Sequence, residues 1–178
     1  GRPGRGGGPA AQWGARRWGA ERFGGLSERL AGVGGILPDG RGAIFGSGDE
    51  RALAVNLIEA IPEARRIDLA GHLDLLEVFA CLQRCAFCVG NDSGLMHMAA
   101  AVGTHVIALY GSSSPGFTPP LTNTSCVFYL DLDCSPCFER SCPLGHFRCL
   151  GDITVDSVCS AVITVLGGPG GVQSILQP

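Results

Sequence analysis

Two short apolar runs, residues 86–89 and 106–110, constrain this chain most, because each is continuous rather than alternating and each is bounded by glycine. Such runs suit strands buried on both faces of a parallel sheet. Parallel strands need a crossover, and the segment between them supplies one. Leu95, Met98, Ala99 and Val102 form a helical apolar stripe, and Gly103 is placed to cap its C-terminus. Residues 87–111 therefore predict a right-handed strand–helix–strand unit.

The flanking pattern repeats the alternation. Phe23, Leu26 and Leu30 fall at helical spacing, Ala43, Ile44 and Phe45 make a short strand, and Gly46, Ser47 and Gly48 a tight turn. Residues 49–61 predict a helix and residues 67–70 a strand. Leu75, Val78, Phe79 and Leu82 predict another helix behind an N-cap at Asp74. Residues 126–130 predict a last strand, followed by a cysteine-rich loop at 131–150 and a closing helix marked by Val155, Val158, Cys159 and Val162. Residues 1–10 and 167–178, rich in Gly and Pro and without periodicity, read as flexible tails around a working domain at 11–166. The whole predicts an α/β, Rossmann-like doubly wound parallel sheet, with ligands at the carboxyl ends of the strands.

Composition narrows the function classes. With 46% hydrophobic and 16% charged residues, the 178-residue chain reads as one globular domain. A chain of this size buries roughly 70% of its unfolded surface, so a core needs no disulfide or metal. Net charge −3 and the absence of lysine give no electrostatic footprint for nucleic acid. No run approaches the roughly 20 apolar residues that cross a bilayer. The Gly/Arg-rich start has no apolar signal-peptide core, which predicts a cytoplasmic protein. It also has no initiator methionine, and reads as a piece of a longer polypeptide. Nine cysteines, an odd count without an export signal, favour reduced thiols or a metal site over a disulfide scaffold.

The stretch Asn91-Asp92-Ser93-Gly94-Leu95-Met96-His97 places small polar residues where a buried strand ends and a helix begins. The first N–H groups of such a helix, here assigned to Ser93, Gly94 and Leu95, are unpaired and carry the positive end of its dipole, so a phosphate can lie against them. Asp92 suits an N-cap or a ligand hydroxyl. His97, one turn on, suits a phosphate oxygen or a place in ordinary packing.

That stretch, continued by Met98-Ala99-Ala100-Ala101, by Ile107-Ala108-Leu109-Tyr110-Gly111-Ser112-Ser113-Ser114-Pro115 and by Phe117-Thr118-Pro119-Pro120, strongly resembles the ADP-heptose:lipopolysaccharide heptosyltransferases of glycosyltransferase family 9. Upstream, Trp13-Gly14-Ala15-Arg16-Arg17-Trp18 and Glu21-Arg22-Phe23 resemble the segment that opens the second domain of those enzymes. Where the family commonly has Lys-Arg-Trp-Pro, this chain has Arg16-Arg17-Trp18-Gly19. The cysteine loop, Cys134-Ser135-Pro136-Cys137 through Cys142-Pro143-Leu144-Gly145-His146 to Cys149, resembles the heptosyltransferase II branch. The likeness runs over residues 9–166.

The resemblance implies a GT-B glycosyltransferase of which this chain is the C-terminal, nucleotide-sugar-binding domain. It implies inverting transfer of heptose from ADP-L-glycero-D-manno-heptose to the inner core of lipopolysaccharide, with no obligatory cofactor. The N-terminal domain of the same enzyme would supply the acceptor site and the catalytic Asp, so no catalytic residue is assigned here. A noncatalytic nucleotide-binding module, or a related transferase with another donor, is the alternative. By the same likeness Arg16, Asp92, Ser93, Gly94, Leu95 and His97 would bind the diphosphate and sugar, Gly71, His72 and Leu73 would border the adenine, and Glu50 would take the ribose hydroxyls. The implied location is cytoplasmic, with peripheral attachment to the inner face of the inner membrane compatible with it.

Three features stay open between function and packing. The loop at 112–120 suits closure over the sugar or a rigid proline-built connection. Trp13 and Trp18 suit base stacking or packing. Cys134, Cys137, Cys142 and Cys149, with His146 nearby, have the ligand types and first spacing of tetrahedral zinc, but their later spacing is not that of a common zinc module, and packing of a loop is the other reading. Cys81, Cys85 and Cys88 are read as small apolar packing residues.

Overall fold

A computed structural model describes residues 18–50 and 59–167 of the chain. The predicted tails, Trp13, Arg16 and most of the predicted helix at 49–61 lie outside the described residues. In chain order the elements are helix α1 (Ala20–Ala31), strands β1 (Gly42–Ile44) and β2 (Arg66–Asp68), helix α2 (Leu75–Gln83), strand β3 (Phe87–Asn91), helix α3 (Gly94–Ala101), strands β4 (His105–Leu109) and β5 (Ser125–Phe128), and helices α4 (Arg148–Gly151) and α5 (Val155–Gly167).

The strands form two parallel ladders. β1 pairs with β2, Ala43 opposite Ile67, and β4 lies between β3 and β5, with Val89 opposite Ile107 and Ile107 opposite Cys126. Alternation along β4 explains its continuous apolar sequence. Ile107 and Leu109 enter one core with Leu26 and Leu30 of α1 and Val158, Val162 and Leu166 of α5. Val106, Ala108 and Tyr110 enter the other core with Leu82 of α2 and Met96, Ala99 and Ala100 of α3. Helices thus cover both faces, which is the Rossmann-like arrangement. Phe45, just after β1, packs against the second core and ties the shorter ladder to it.

The helix ends follow their sequence signals. Asp74 accepts the N–H of Glu77 at 2.9 Å while the Glu77 carboxylate accepts the N–H of Asp74 at 2.8 Å, a reciprocal capping box. At the end of α3, Gly103 adopts φ +81°, and the N–H groups of Gly103 and Thr104 return to the carbonyls of Ala100 and Ala99. That is a Schellman cap, which needs the left-handed conformation glycine tolerates.

The phase of α3 differs from the expected stripe. Met96, Ala99 and Ala100 are buried, whereas Leu95, Met98 and Val102 are only partly so. Seven of the eight positions from 95 to 102 are apolar residues that can face a core, so hydropathy there does not select one face. Contact with Cys88 and Leu82 does. Truncating Met96 to Ala would cost about 2–5 kcal/mol.

Candidate functional site

α3 starts where β3 ends, and Ser93 is its N-cap residue in an extended conformation, with no capping hydrogen bond from the Ser93 side chain. The first-turn N–H groups belong to Gly94, Leu95 and Met96, one residue later than the sequence assignment of Ser93 to Leu95, because Ser93 is the cap and not the first helical residue. Gly94 is exposed and Ser93 and Leu95 are partly exposed. Three N–H dipoles at the positive end of a helix, with no capping hydrogen bond from the Ser93 side chain, suit an anion-binding surface.

Asp92 is not the N-cap. Its side chain is 6% exposed, and Oδ1 lies 3.5 Å from Nε2 of His97 and accepts the hydroxyl of Thr118 at 3.3 Å. Thr118 belongs to the loop after β4, and its carbonyl accepts the Tyr110 hydroxyl at 2.5 Å. Burial, then the charge of Asp92, pushes the Tyr110 phenol well above its ordinary value, so it stays a donor. The loop at 112–120 is therefore fastened over the buried carboxylate by two side chains rather than merely connecting strands. His97 keeps about a third of its side chain exposed.

Asn91, the last residue of β3, accepts the main-chain N–H of Trp18 at 3.0 Å. Trp18 is fully buried, donates its indole N–H to the Ile153 carbonyl at 2.8 Å and meets Phe23 edge-on at 5.0 Å. Packing is thus the role of Trp18, and base stacking is excluded for it. Arg22 donates to the carbonyls of Trp18 and Gly151, both at 3.1 Å, locking the chain entry onto α4.

The second group of expected residues assembles at the ends of β1 and β2. Glu50 accepts the N–H and hydroxyl of Ser47 at 3.0 and 2.9 Å, which fixes its carboxylate on the Gly46–Gly48 turn. Gly71 donates to the Gly46 carbonyl at 2.9 Å with φ +74°, placing His72, exposed, and Leu73, partly exposed, beside that turn. Glu50 and the 71–73 segment are thereby neighbours across the β1–β2 ladder. Both groups of residues lie at carboxyl ends of parallel strands, where α/β folds bind ligands.

Thr118 and Asn91 were not expected as site-forming residues. Both lie in the quoted motifs, but their roles depend on partners 26 and 73 residues away. Of the cysteines, Cys88 is buried and its thiol is pushed up to about 12 by burial and then by Cys85, in keeping with a packing role.

Residues 2–148 match the family model described as glycosyltransferase family 9 (heptosyltransferase). The lipooligosaccharide heptosyltransferase 2 of Haemophilus influenzae is 38% identical over 126 residues, covering 68% of this chain and 35% of that protein. The lipopolysaccharide heptosyltransferase 2 of Escherichia coli K12 is 31% identical over 162 residues, 89% of this chain and 45% of that protein. The solved structure of E. coli ADP-heptose lps heptosyltransferase II superposes with a TM-score of 0.71 at 30% identity, covering 88% of this chain and 44% of that one. A family 9 glycosyltransferase from Veillonella parvula, at 24% identity and a TM-score of 0.72, shares the fold. This chain spans less than half the length of these relatives, and it belongs to glycosyltransferase family 9, the heptosyltransferase family.

Proposed function

We propose that residues 11–166 form the donor-binding half of an enzyme that transfers heptose from ADP-L-glycero-D-manno-heptose to the inner core of lipopolysaccharide. The observation that carries this reading is the first turn of α3, which Ser93 does not cap with its side chain, with buried Asp92 and partly exposed His97 beside it, in a family 9 chain. Its acceptor site and catalytic carboxylate belong to the N-terminal domain of the same enzyme, which works in the cytoplasm at the inner face of the inner membrane.

Displacement at an anomeric carbon builds positive charge on the sugar and negative charge on the departing ADP. The donor half has to stabilise the leaving group. The N–H groups of Gly94, Leu95 and Met96, set before the reaction begins, act on the diphosphate as preorganised electrostatics. His97 adds a donor to a phosphate oxygen. An ionised carboxylate only accepts hydrogen bonds, so Asp92 takes a sugar hydroxyl and not the phosphate. Arg16, which the family likeness assigns to the diphosphate, would hold it bidentately. Glu50 takes the ribose hydroxyls, and Gly71, His72 and Leu73 border the adenine. Direct attack by the acceptor hydroxyl gives inversion, with no cofactor in the transfer step.

Calorimetric titration of the chain with ADP-heptose, ADP and UDP tests this. Saturable binding that favours the two adenine nucleotides is expected. No binding by a chain shown to be folded by circular dichroism contradicts the reading.

A further inference from the structure

From Asp131 to Phe147 the chain contains no helix or strand, yet hydrogen bonds at Ser135 and Phe138 tie it to the end of β4. A loop of this length needs something to order it. Apolar burial does not: Phe138, Leu144 and Phe147 are 45%, 62% and 41% exposed, whereas Cys134, Cys137, Cys142 and Cys149 are each only partly exposed. These four cysteines, with Ser112 and His146, line one cavity. Inward thiols and outward phenylalanines invert the order that the hydrophobic effect alone would set.

Three further features point into that cavity. Ser112 is 1% exposed, and its hydroxyl is a buried donor without a partner in the structure. The N–H of Phe147 reaches the Cys142 sulfur at 3.5 Å across a turn in which Gly145 has φ +71°. The cysteines also come from three separately anchored pieces. The Cys134–Cys137 piece is pinned to the end of β4 by the Ser135 hydroxyl on the Gly111 carbonyl at 2.6 Å and the Phe138 N–H on the Ser112 carbonyl at 2.7 Å. Cys142 heads the following turn, and Cys149 lies in α4, whose Leu150 is in the first core.

We propose that Cys134, Cys137, Cys142 and Cys149 form a tetrathiolate site for a structural zinc ion that staples this loop to the end of β4 and to α4. Among the described residues no three His, Cys, Asp or Glu side chains stand in a closed metal-binding arrangement. Neutral thiols have no strong mutual attraction, so binding draws the four sulfurs that line the cavity together into a closed tetrahedron. Four S–H bonds release four protons to solvent and four Zn–S bonds form, without oxidation or reduction. Four thiolates around one Zn²⁺ leave a net charge of −2, which the Phe147 N–H and the Ser112 hydroxyl are placed to offset. His146 is exposed, and its Nδ1 already accepts the Arg148 N–H at 3.1 Å, so it stands outside the ligand set.

The experiment is titration of the reduced full chain with Co²⁺, followed by displacement with Zn²⁺ and metal analysis of the chain as purified. One equivalent should give the visible bands of tetrahedral cobalt and thiolate charge-transfer bands, both erased by Zn²⁺. Cys134→Ser and Cys149→Ser should lose the four-thiolate spectrum, Cys81→Ser should keep it, and Ser112→Ala should weaken Zn²⁺ affinity by about 10-fold or more, as loss of a hydrogen bond to a ligand does. No binding at micromolar metal, an octahedral thiolate-free spectrum, or a chain purified with iron and sulfide would each overturn the proposal. The titration of the unsubstituted chain decides the matter even if a cysteine variant fails to fold.

Discussion

The main-chain N–H of Trp18 donates to the side-chain carbonyl of Asn91 at 3.0 Å, joining the entry of the described chain to the residue before Asp92. That hydrogen bond holds Trp18 against the strand end that leads into α3. Asn91→Ala should lower stability by about 1 kcal/mol and weaken ADP binding as well, because Asn91 ends β3 directly before Asp92 and the α3 N-cap. Urea unfolding and calorimetry on the same variant read both effects, and a stability loss with unchanged affinity would detach the Trp18–Asn91 contact from the site.

His97→Ala removes one donor from the diphosphate without touching a core. Hydrogen bonds to charged groups contribute about 1.5–3 kcal/mol, so ADP affinity should fall by about 10-fold to 100-fold, and the urea midpoint should fall as well because His97 stands 3.5 Å from the buried Asp92 carboxylate. Equal affinity in variant and parent would remove His97 from the site.

Gly71→Ala should destabilise the chain by about 1–3 kcal/mol. The position has φ +74°, and a Cβ there would stand 2.7 Å from the Gly48 Cα, so the turn carrying Glu50 would have to move. Denaturant midpoints measure the cost, and a weaker preference for ADP over UDP would accompany it if that turn reads the nucleoside.

Cys88 gives the chain a pH dependence on the alkaline side. Burial, then Cys85, raises its thiol from 9.0 to about 12 in the folded chain. Above pH 9 the unfolded chain has lost this proton while the folded chain keeps it, so stability is full below pH 9 and falls as pH rises toward 12, by up to ~1.4 kcal/mol per pH unit. The Tyr110 phenol, raised by burial and Asp92, adds a loss of the same sign above 10.0. Urea midpoints across this window should decline more gently in Cys88→Ala, and identical declines would contradict the assignment.

Much of this organisation was legible from residues alone where two constraints coincided. β3, α3 and β4 were readable because strands covered on both faces are continuously apolar and glycine marks their ends. Asp74 was readable because a capping side chain acts within three residues. The phase of α3 was not, since nearly every position there is apolar and only packing against Leu82 and Cys88 selects Met96. Nor was the fastening of Thr118 over Asp92, which depends on how a proline-rich loop folds back across 26 residues. Trp18, open between stacking and packing in the sequence, is settled by its indole N–H on Ile153, a partner 135 residues away.

The most direct test of the central claim is an NMR titration of the isotope-labelled chain with ADP. The amide signals of Gly94, Leu95 and Met96, and the ring of His97, should shift together along one saturable curve, with UDP producing a weaker response. Saturable shifts confined to other parts of the chain, or none at millimolar ADP, would contradict the placement of the diphosphate at the start of α3.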